Sequence, residues 1–414
     1  MATTETFDVT AIRSRFPALG RTGPDGRQYV WVDAPGGSQM VDTAIDAVTA
    51  RMRAGASNTH GAFRVSEEID TLISDARRAG ADLLGCDPGE IVFGQNATSL
   101  LLHLSRSIGR TWGPGDEIAV TRLDHDANVR PWILAAEDAG ATVRWVDVRP
   151  DDVTLDLDDL ATTIGPRTKL VACTLASNAV GTTPPVADVI ALAKQAGALV
   201  ALDGVHLAQH RTIDLHGLGA DLVATSPYKY FGPHQGMAAV RAELLASLTP
   251  YKLRAAPDDD PDRWESGTQS HEAMAGTIAA IEYIAEIGGG GDRRDAVRRG
   301  YASFEAHERE LATRFLDGIA GLANVRLLGI ADPARIDERT PTFALRVGDQ
   351  HPLDTSRQLG DRGIFTWEGH YYAIEVFERL GLLETGGAVR IGFCHYHTLD
   401  EVDRVLETLA DLAR

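Results

Sequence analysis

Cysteine is scarce in this chain: three in 414 residues, Cys86, Cys173 and Cys394. Three thiols are too few for the disulfide framework of a small secreted protein, so the chain reads as a reduced, cytoplasmic one. Long apolar runs are missing too, and none reaches the roughly 20 residues that a membrane-spanning helix needs. The first twenty residues, MATTETFDVTAIRSRFPALG, lack the basic and apolar regions of a secretory leader. Positive charge is in deficit: 40 Lys and Arg against 59 Asp and Glu, a formal net charge of −19. That sign argues against nucleic acid or an anionic membrane surface as a partner, while leaving room for a small anionic ligand in a local site. What is present is an ordinary globular composition, 44% hydrophobic and 24% charged. The length exceeds what one core usually serves, so two domains are expected.

Short apolar strands alternate with helical stretches through the middle of the chain. The strands read EIVFG at 90–94, EIAVT at 117–121, TVRWVDV at 142–148, KLVACTLAS at 169–177, ALVALDG at 198–204, DLVATS at 221–226 and GMAAVR at 236–241. Helical runs such as VADVIALAKQAGA, 186–198, lie between several of them. This alternation predicts an α/β fold with a mostly parallel seven-stranded sheet and helices on both faces. GGGGD at 288–292 reads as a hinge before a long charged helix over roughly 293–320. After it, VRLLG, TPTFALRV, GAVRIGF and a closing helical run predict a smaller C-terminal α+β domain. The expected division is an N-terminal arm over 1–30 packing with the small domain, a large domain over 31–290 and a small domain over 291–414. The acidic stretch PDDDPD, 257–262, reads as a solvated loop.

Ligands of such sheets sit beyond the carboxyl ends of the strands, and there the polar residues gather. ALDGVH ends an apolar strand in Asp203, with His206 just past it. A carboxylate there is costly unless a cation meets it, although for Asp203 alone a helix cap is the better reading. FGQNATSLLLHL opens a helix at Asn96-Ala97-Thr98-Ser99, whose amides and hydroxyls suit a phosphate; many such helix ends bind only water. TRLDHDANVRPW places His125 and Asn128 after one strand, and SNAVGT places Asn178 after another. LVATSPYKYFGPHQG, 222–236, holds Lys229 between Tyr228 and Tyr230 ahead of a Gly-Pro turn. Lysines ordinarily lie on wet surfaces, so one set among aromatics just past an apolar strand needs a reason. A phosphate cradle, a carboxylate, a flat imidazole and an enclosed lysine together match the needs of pyridoxal 5'-phosphate.

The chain resembles the class V aminotransferases of fold type I, in their cysteine desulfurase-like branch. The resemblance runs over almost the whole chain, through YVWVDAPGGSQM, EIVFGQNATS, GDEIAVTRLDHDAN, SNAVGTTPPV, LDGVHL, SPYKYFGPHQG, ESGTQS and VRIGFCHYHT. It implies that Lys229 is the Schiff-base lysine and moves protons on the substrate. It implies that Asp203 pairs with the pyridinium nitrogen and that His125 stacks on the ring. Ala97 and Thr98 would hold the phosphate with help from Ser226, and Asn178 and His206 would lie near the phenolic oxygen or the substrate. Gly267 and Thr268 resemble a segment that reaches the neighbouring subunit's phosphate, which implies a homodimer with shared sites. Arg390 resembles the arginine that clamps the substrate carboxylate, a task suited to a bidentate guanidinium. Tyr228 stands where the family often has His, and its role is open between a cofactor contact and packing. His206 stands where desulfurases often carry Gln.

The resemblance also constrains the reaction. Desulfurases pass sulfur to a cysteine on a mobile loop, and the corresponding stretch here, RGIFTWEGHYYAIEVFERLG at 362–381, contains none. Cys173 is expected inside a strand, Cys394 in another and Cys86 at a helix end, each as a small apolar residue. Trp367, His370 and Tyr371 are expected on the substrate side, with His370 either a second acid–base group or part of an aromatic packing cluster. The reading is an enzyme acting on a small α-amino acid, by elimination with C–S lysis of a cysteine-type substrate. Transamination and epimerisation are the alternatives, and a non-catalytic regulator or scaffold is the alternative of another class. No metal, nucleic acid or membrane is expected to take part.

Overall fold

The computed structural model describes residues 7–414. Seven strands form the main sheet: β1 (Ile91–Gly94), β2 (Glu117–Thr121), β3 (Thr142–Val146), β4 (Thr168–Thr174), β5 (Leu199–Asp203), β6 (Leu222–Thr225) and β7 (Gly236–Val240). Their order is β1-β7-β6-β5-β4-β2-β3. All neighbours are parallel except that β7 runs antiparallel to both β1 and β6. Burial on two faces explains the continuous apolar runs. In β4, Val171 and Cys173 face one core cluster while Leu170 and Ala172 face the other. The first cluster is covered by helices Arg64–Leu84, Val186–Gln195, His271–Ile287 and the front half of Arg293–Ala320. The second is covered by Ala97–Gly109 and Arg130–Ala139.

A second, antiparallel sheet is built from β8 (Val325–Leu328), β9 (Thr342–Val347), β10 (Trp367–Gly369) and β11 (Ala388–Gly392), in the order β8-β9-β11-β10. It packs on the rear half of Arg293–Ala320 and on the closing helix Leu399–Leu412. The amino-terminal residues reach both parts of the molecule. Arg13 pairs bidentately with Glu401 at 2.8 and 2.9 Å, while Arg15 meets Asp42 and Glu286 and Phe16 packs edge-on to Phe231 and Tyr283. The short strand Val30–Trp31 pairs in parallel with Ile364–Phe365. Cys394 lies past the end of β11 rather than within a strand. No helix among the described residues is long and apolar enough to cross a membrane.

Five loops leave the carboxyl ends of β1, β2, β4, β5 and β6, so the residues just beyond them converge on one edge of the sheet. The face of β11 that carries Arg390 closes the space from the side of the four-stranded sheet.

Candidate active site

The turn after β6 places Lys229 in the interior, 7% exposed. Its Nζ donates to the carbonyls of Pro35 and of Gly36, the latter at 3.1 Å. Burial, then the nearby charge of Arg390, lowers its pKa to about 7, with Asp33 and Asp203 pulling the other way. An amine of that pKa is substantially neutral at physiological pH, which is what a nucleophile or proton carrier requires. The flanking tyrosines differ. The Tyr228 ring lies 5.0 Å from Lys229 Nζ and stacks on His234 at 5.0 Å and 11°, whereas Tyr230 is wholly within the core.

Asp203 ends β5 buried, accepting from Val205 N at 2.8 Å. Burial raises its pKa to about 6, and a cationic ring nitrogen beside it would lower that value again. His125 is half-buried on the loop after β2. Its Nδ1 accepts from Ala127 N at 3.0 Å, which places any single proton on Nε2. Burial, Lys229 and Arg390 lower its pKa to about 3, so the ring is neutral. Asp124, absent from the sequence-derived set, organises this loop. It accepts from Thr121 Oγ1 and from Asn128 Nδ2 at 2.7 Å, and Asn128 in turn accepts from Trp132 Nε1 at 3.0 Å. Burial raises the Asp124 pKa to about 7.

The helix Ala97–Gly109 is capped by Asn96, whose Oδ1 accepts from Ser99 N at 2.8 Å. Ala97 is buried and its N–H points to Ser226 Oγ at 3.2 Å, which brings the end of β6 to this helix start; Thr98 is exposed. Gly236 permits the approach, since a Cβ there would lie 2.5 Å from the carbonyl carbon of Asn96. Gly267 and Thr268 stand away from Lys229, exposed on a segment that faces Gln95 and Ser99 across a cavity of 440 Å³.

On the opposite side, Asn178 Nδ2 donates to Tyr371 O at 2.9 Å and its Oδ1 is buried without a partner. His206 Nε2 lies 3.2 Å from Thr340 Oγ1 and 3.0 Å from Thr342 Oγ1, and its Nδ1 is likewise unpartnered. Burial, then His210, holds His206 well below the usual imidazole range. His210 meets Glu308 at 2.8 Å, both fully enclosed. Arg390 is 4% exposed and pairs with Asp33.

The loop expected on the substrate side divides. Trp367 and His370 are exposed at the rim. Tyr371 instead turns inward, its hydroxyl donating to Ala388 O and its ring lying 4.6 Å from the Arg390 guanidinium. It supports the arginine because its left-handed backbone, φ 50°, points the ring away from the opening. Tyr372, which the sequence did not single out, lies at the rim and stacks on His125 at 5.4 Å and 25°.

These features fit pyridoxal 5'-phosphate on grounds of this structure alone. A helix N-terminus with a serine hydroxyl suits the phosphate, and a buried carboxylate suits the ring nitrogen. The unpartnered Asn178 Oδ1, His206 Nδ1 and Arg390 Nε all lack a ligand they are buried to meet.

Residues 30–405 match the family described as Aminotransferase class-V. The chain is 33% identical to a probable cysteine desulfurase 2 of Mycobacterium leprae, over 97% of this chain and 95% of that protein. It is 31% identical to a probable cysteine desulfurase of Streptomyces coelicolor, over 97% and 96%. Among solved structures, a cysteine desulfurase of Thermococcus onnurineus NA1 superposes with a TM-score of 0.85 at 26% identity, covering 96% of this chain and 98% of that one. The chain therefore belongs to the class V aminotransferase family, as a cysteine desulfurase-like enzyme of fold type I that works with pyridoxal 5'-phosphate.

Proposed function

We propose that the enzyme cleaves the carbon–sulfur bond of a cysteine-type α-amino acid by β-elimination, without passing sulfur to a cysteine of its own. The observation that carries this reading is the state of the three thiols. Cys173 and Cys394 are fully buried, and burial holds both thiols well above their usual range. Cys86 is raised by burial too, and its charged neighbours Glu90, Arg294, Asp87 and Asp214 lie outside the site. A sulfur acceptor must be an accessible thiolate, and none of the three is one. At the rim, where such a thiol would act, stand Trp367, His370 and Tyr372.

When bound, the cofactor supplies an electron sink for the carbanion formed at the substrate Cα. Lys229 is the amine that would tether it and the base in place to take the α-proton. Asp203 would hold the ring nitrogen, the neutral His125 ring would cover one face, and Ala97, Thr98 and Ser226 would hold the phosphate. Tyr228 flanks the lysine stem. Asn178 and His206 supply the remaining polar contacts, and Arg390 takes the substrate carboxylate. The sulfur leaves with the electron pair of the β bond and takes up a proton, for which His370 is the rim group in place. Hydrolysis of the released enamine gives pyruvate and ammonia. The working unit we propose is a cytoplasmic homodimer of two-domain subunits, in which Gly267 and Thr268 reach the neighbouring phosphate.

The test is product analysis of the cofactor-loaded enzyme with L-cysteine, repeated on a Cys86→Ala, Cys173→Ala, Cys394→Ala variant. Sulfide, pyruvate and ammonia in equal amounts, from both proteins, are expected. Alanine with protein-bound sulfur, lost in the triple variant, would overturn the reading.

A further inference from the structure

One short segment, residues 33–36, touches both functional cations. Pro35 and Gly36 offer their carbonyls to Lys229, and Asp33 Oδ1 accepts from Arg390 Nη2 at 2.8 Å. The turn is shaped around that carboxylate. Asp33 O accepts from Gly36 N at 2.9 Å, and a Cβ at Gly36 would lie 2.3 Å from Asp33 Oδ2, so no other residue fits position 36 without displacing it.

Arg390 is held from three directions. Asp33 takes Nη2, the Asn178 carbonyl takes Nη1 at 3.1 Å, and the Tyr371 ring lies 4.6 Å from the guanidinium carbon. Its Nε is buried and has no partner. The contact with Asp33 is single-point. Arginine–carboxylate pairs in this protein take both forms: Glu401 closes the Arg13 fork with both oxygens, whereas Glu117 meets Arg167 at one point. Asp33 uses one oxygen and leaves the Nε edge of the fork open. A buried cation is stabilised in the empty enzyme, yet the Nε donor stays free for a second carboxylate.

We propose that Asp33 is a positioning residue for carboxylate recognition: together with the Asn178 carbonyl and Tyr371 it sets the plane of Arg390, so that the Nε edge meets the α-carboxylate of the amino acid. The proposal rests on the reading of Arg390 as the carboxylate clamp. It restricts the substrate class to amino acids with a free α-carboxylate, and it separates Asp33 from the residues that move protons.

The experiment titrates cofactor-loaded enzyme with L-alanine and with L-alaninamide, which differ only in the carboxylate and have no β leaving group. The cofactor absorbance reports binding. In Asp33→Asn, L-alanine should bind about tenfold more weakly and L-alaninamide within about twofold of wild type, since one charge-assisted hydrogen bond that orients the clamp is weakened. With L-cysteine the same variant should raise KM and leave kcat nearly unchanged. Asp33→Ser should repeat the pattern, which guards against a folding defect peculiar to one variant. Equal weakening of both ligands would assign Asp33 a general structural role, and tighter L-alanine binding would make it a competitor of the substrate; either overturns the proposal. Arg390→Ala should abolish the preference for L-alanine. If it does and Asp33→Asn changes nothing, only the role of Asp33 falls. If Arg390→Ala keeps the preference, the clamp itself falls.

Discussion

Burial of Lys229 works against the cofactor-free fold, and the size of that effect follows from its titration. The free side chain has a reference pKa of 10.5 and the buried one about 7, a lowering of about 3.5. A lowered base pKa means that the folded chain holds fewer protons than the unfolded chain between those values, so stability rises with pH across that window. At pH 6 both forms of the lysine are protonated, and the folded state carries a penalty of roughly 5 kcal/mol. At pH 10 the folded lysine is neutral, the unfolded one only partly charged, and the penalty falls to about 1 kcal/mol. Lys229→Met keeps the stem and removes the charge. It also loses the bonds to Pro35 and Gly36, whose strength is part of what the lowered pKa already contains. Urea unfolding of the cofactor-free wild type and variant at pH 6 and pH 10 reads the lysine together with the smaller shifts that its charge imposes on His125 and Asp203. The wild type should gain about 4 kcal/mol on the variant from pH 6 to pH 10. A gain below about 1 kcal/mol, or one of opposite sign, would mean that the amine is not held neutral by its surroundings, and the account of Lys229 as a ready nucleophile would fail.

Two further outcomes test the frame around the site. His210→Leu leaves Glu308 buried without its 2.8 Å partner and should cost roughly 3–5 kcal/mol in urea unfolding, whereas His210→Leu combined with Glu308→Leu should return to within about 2 kcal/mol of wild type. A double variant as unstable as the single would show that the pair matters through shape rather than charge. Gly236→Ala drives a Cβ to 2.5 Å from the Asn96 carbonyl carbon and should destabilise by about 1–3 kcal/mol while weakening retention of the cofactor on dialysis. Unchanged retention, read from the absorbance of the dialysed protein, would show that the Asn96 turn does not set the phosphate cradle.

The architecture was legible because it is written in local pattern. Apolar runs buried on both faces mark β4, β5 and β6, and their ends mark where polar side chains must meet. Lys229 and Asp203 stand out because each breaks an apolar run with a charge. Asp124 also left a trace: Thr121, Asp124 and Asn128 are spaced to bond one another within one loop, but in sequence such a set is that of any capped turn. Asp33 left none. Its partner Arg390 lies 357 residues away, and the two meet only because residue 33 bridges in parallel to Gly392 beside the last strand of the small sheet. A lone aspartate before a Pro-Gly-Gly turn is, in sequence, a turn residue.

Tyr371 and Tyr372 show why the rim resisted reading. Both adopt left-handed backbone, φ 50° and 60°, with neither glycine nor asparagine to signal it. Such a pair costs roughly 1–3 kcal/mol per residue and persists only where the surroundings over-determine it. Here they do: Asn178 Nδ2 holds the Tyr371 carbonyl at 2.9 Å and Asp126 N holds that of Tyr372 at 2.7 Å. Both restraints come from loops of the seven-stranded sheet, so the strain is imposed from the side of the molecule that carries Lys229. Its effect is to send one ring beneath Arg390 and the other onto His125. Arg390 and His125 are thereby linked through two adjacent residues. A sequence that alternates aromatic and polar residues cannot announce that link, because it exists only once loops of the seven-stranded sheet meet the segment between β10 and β11.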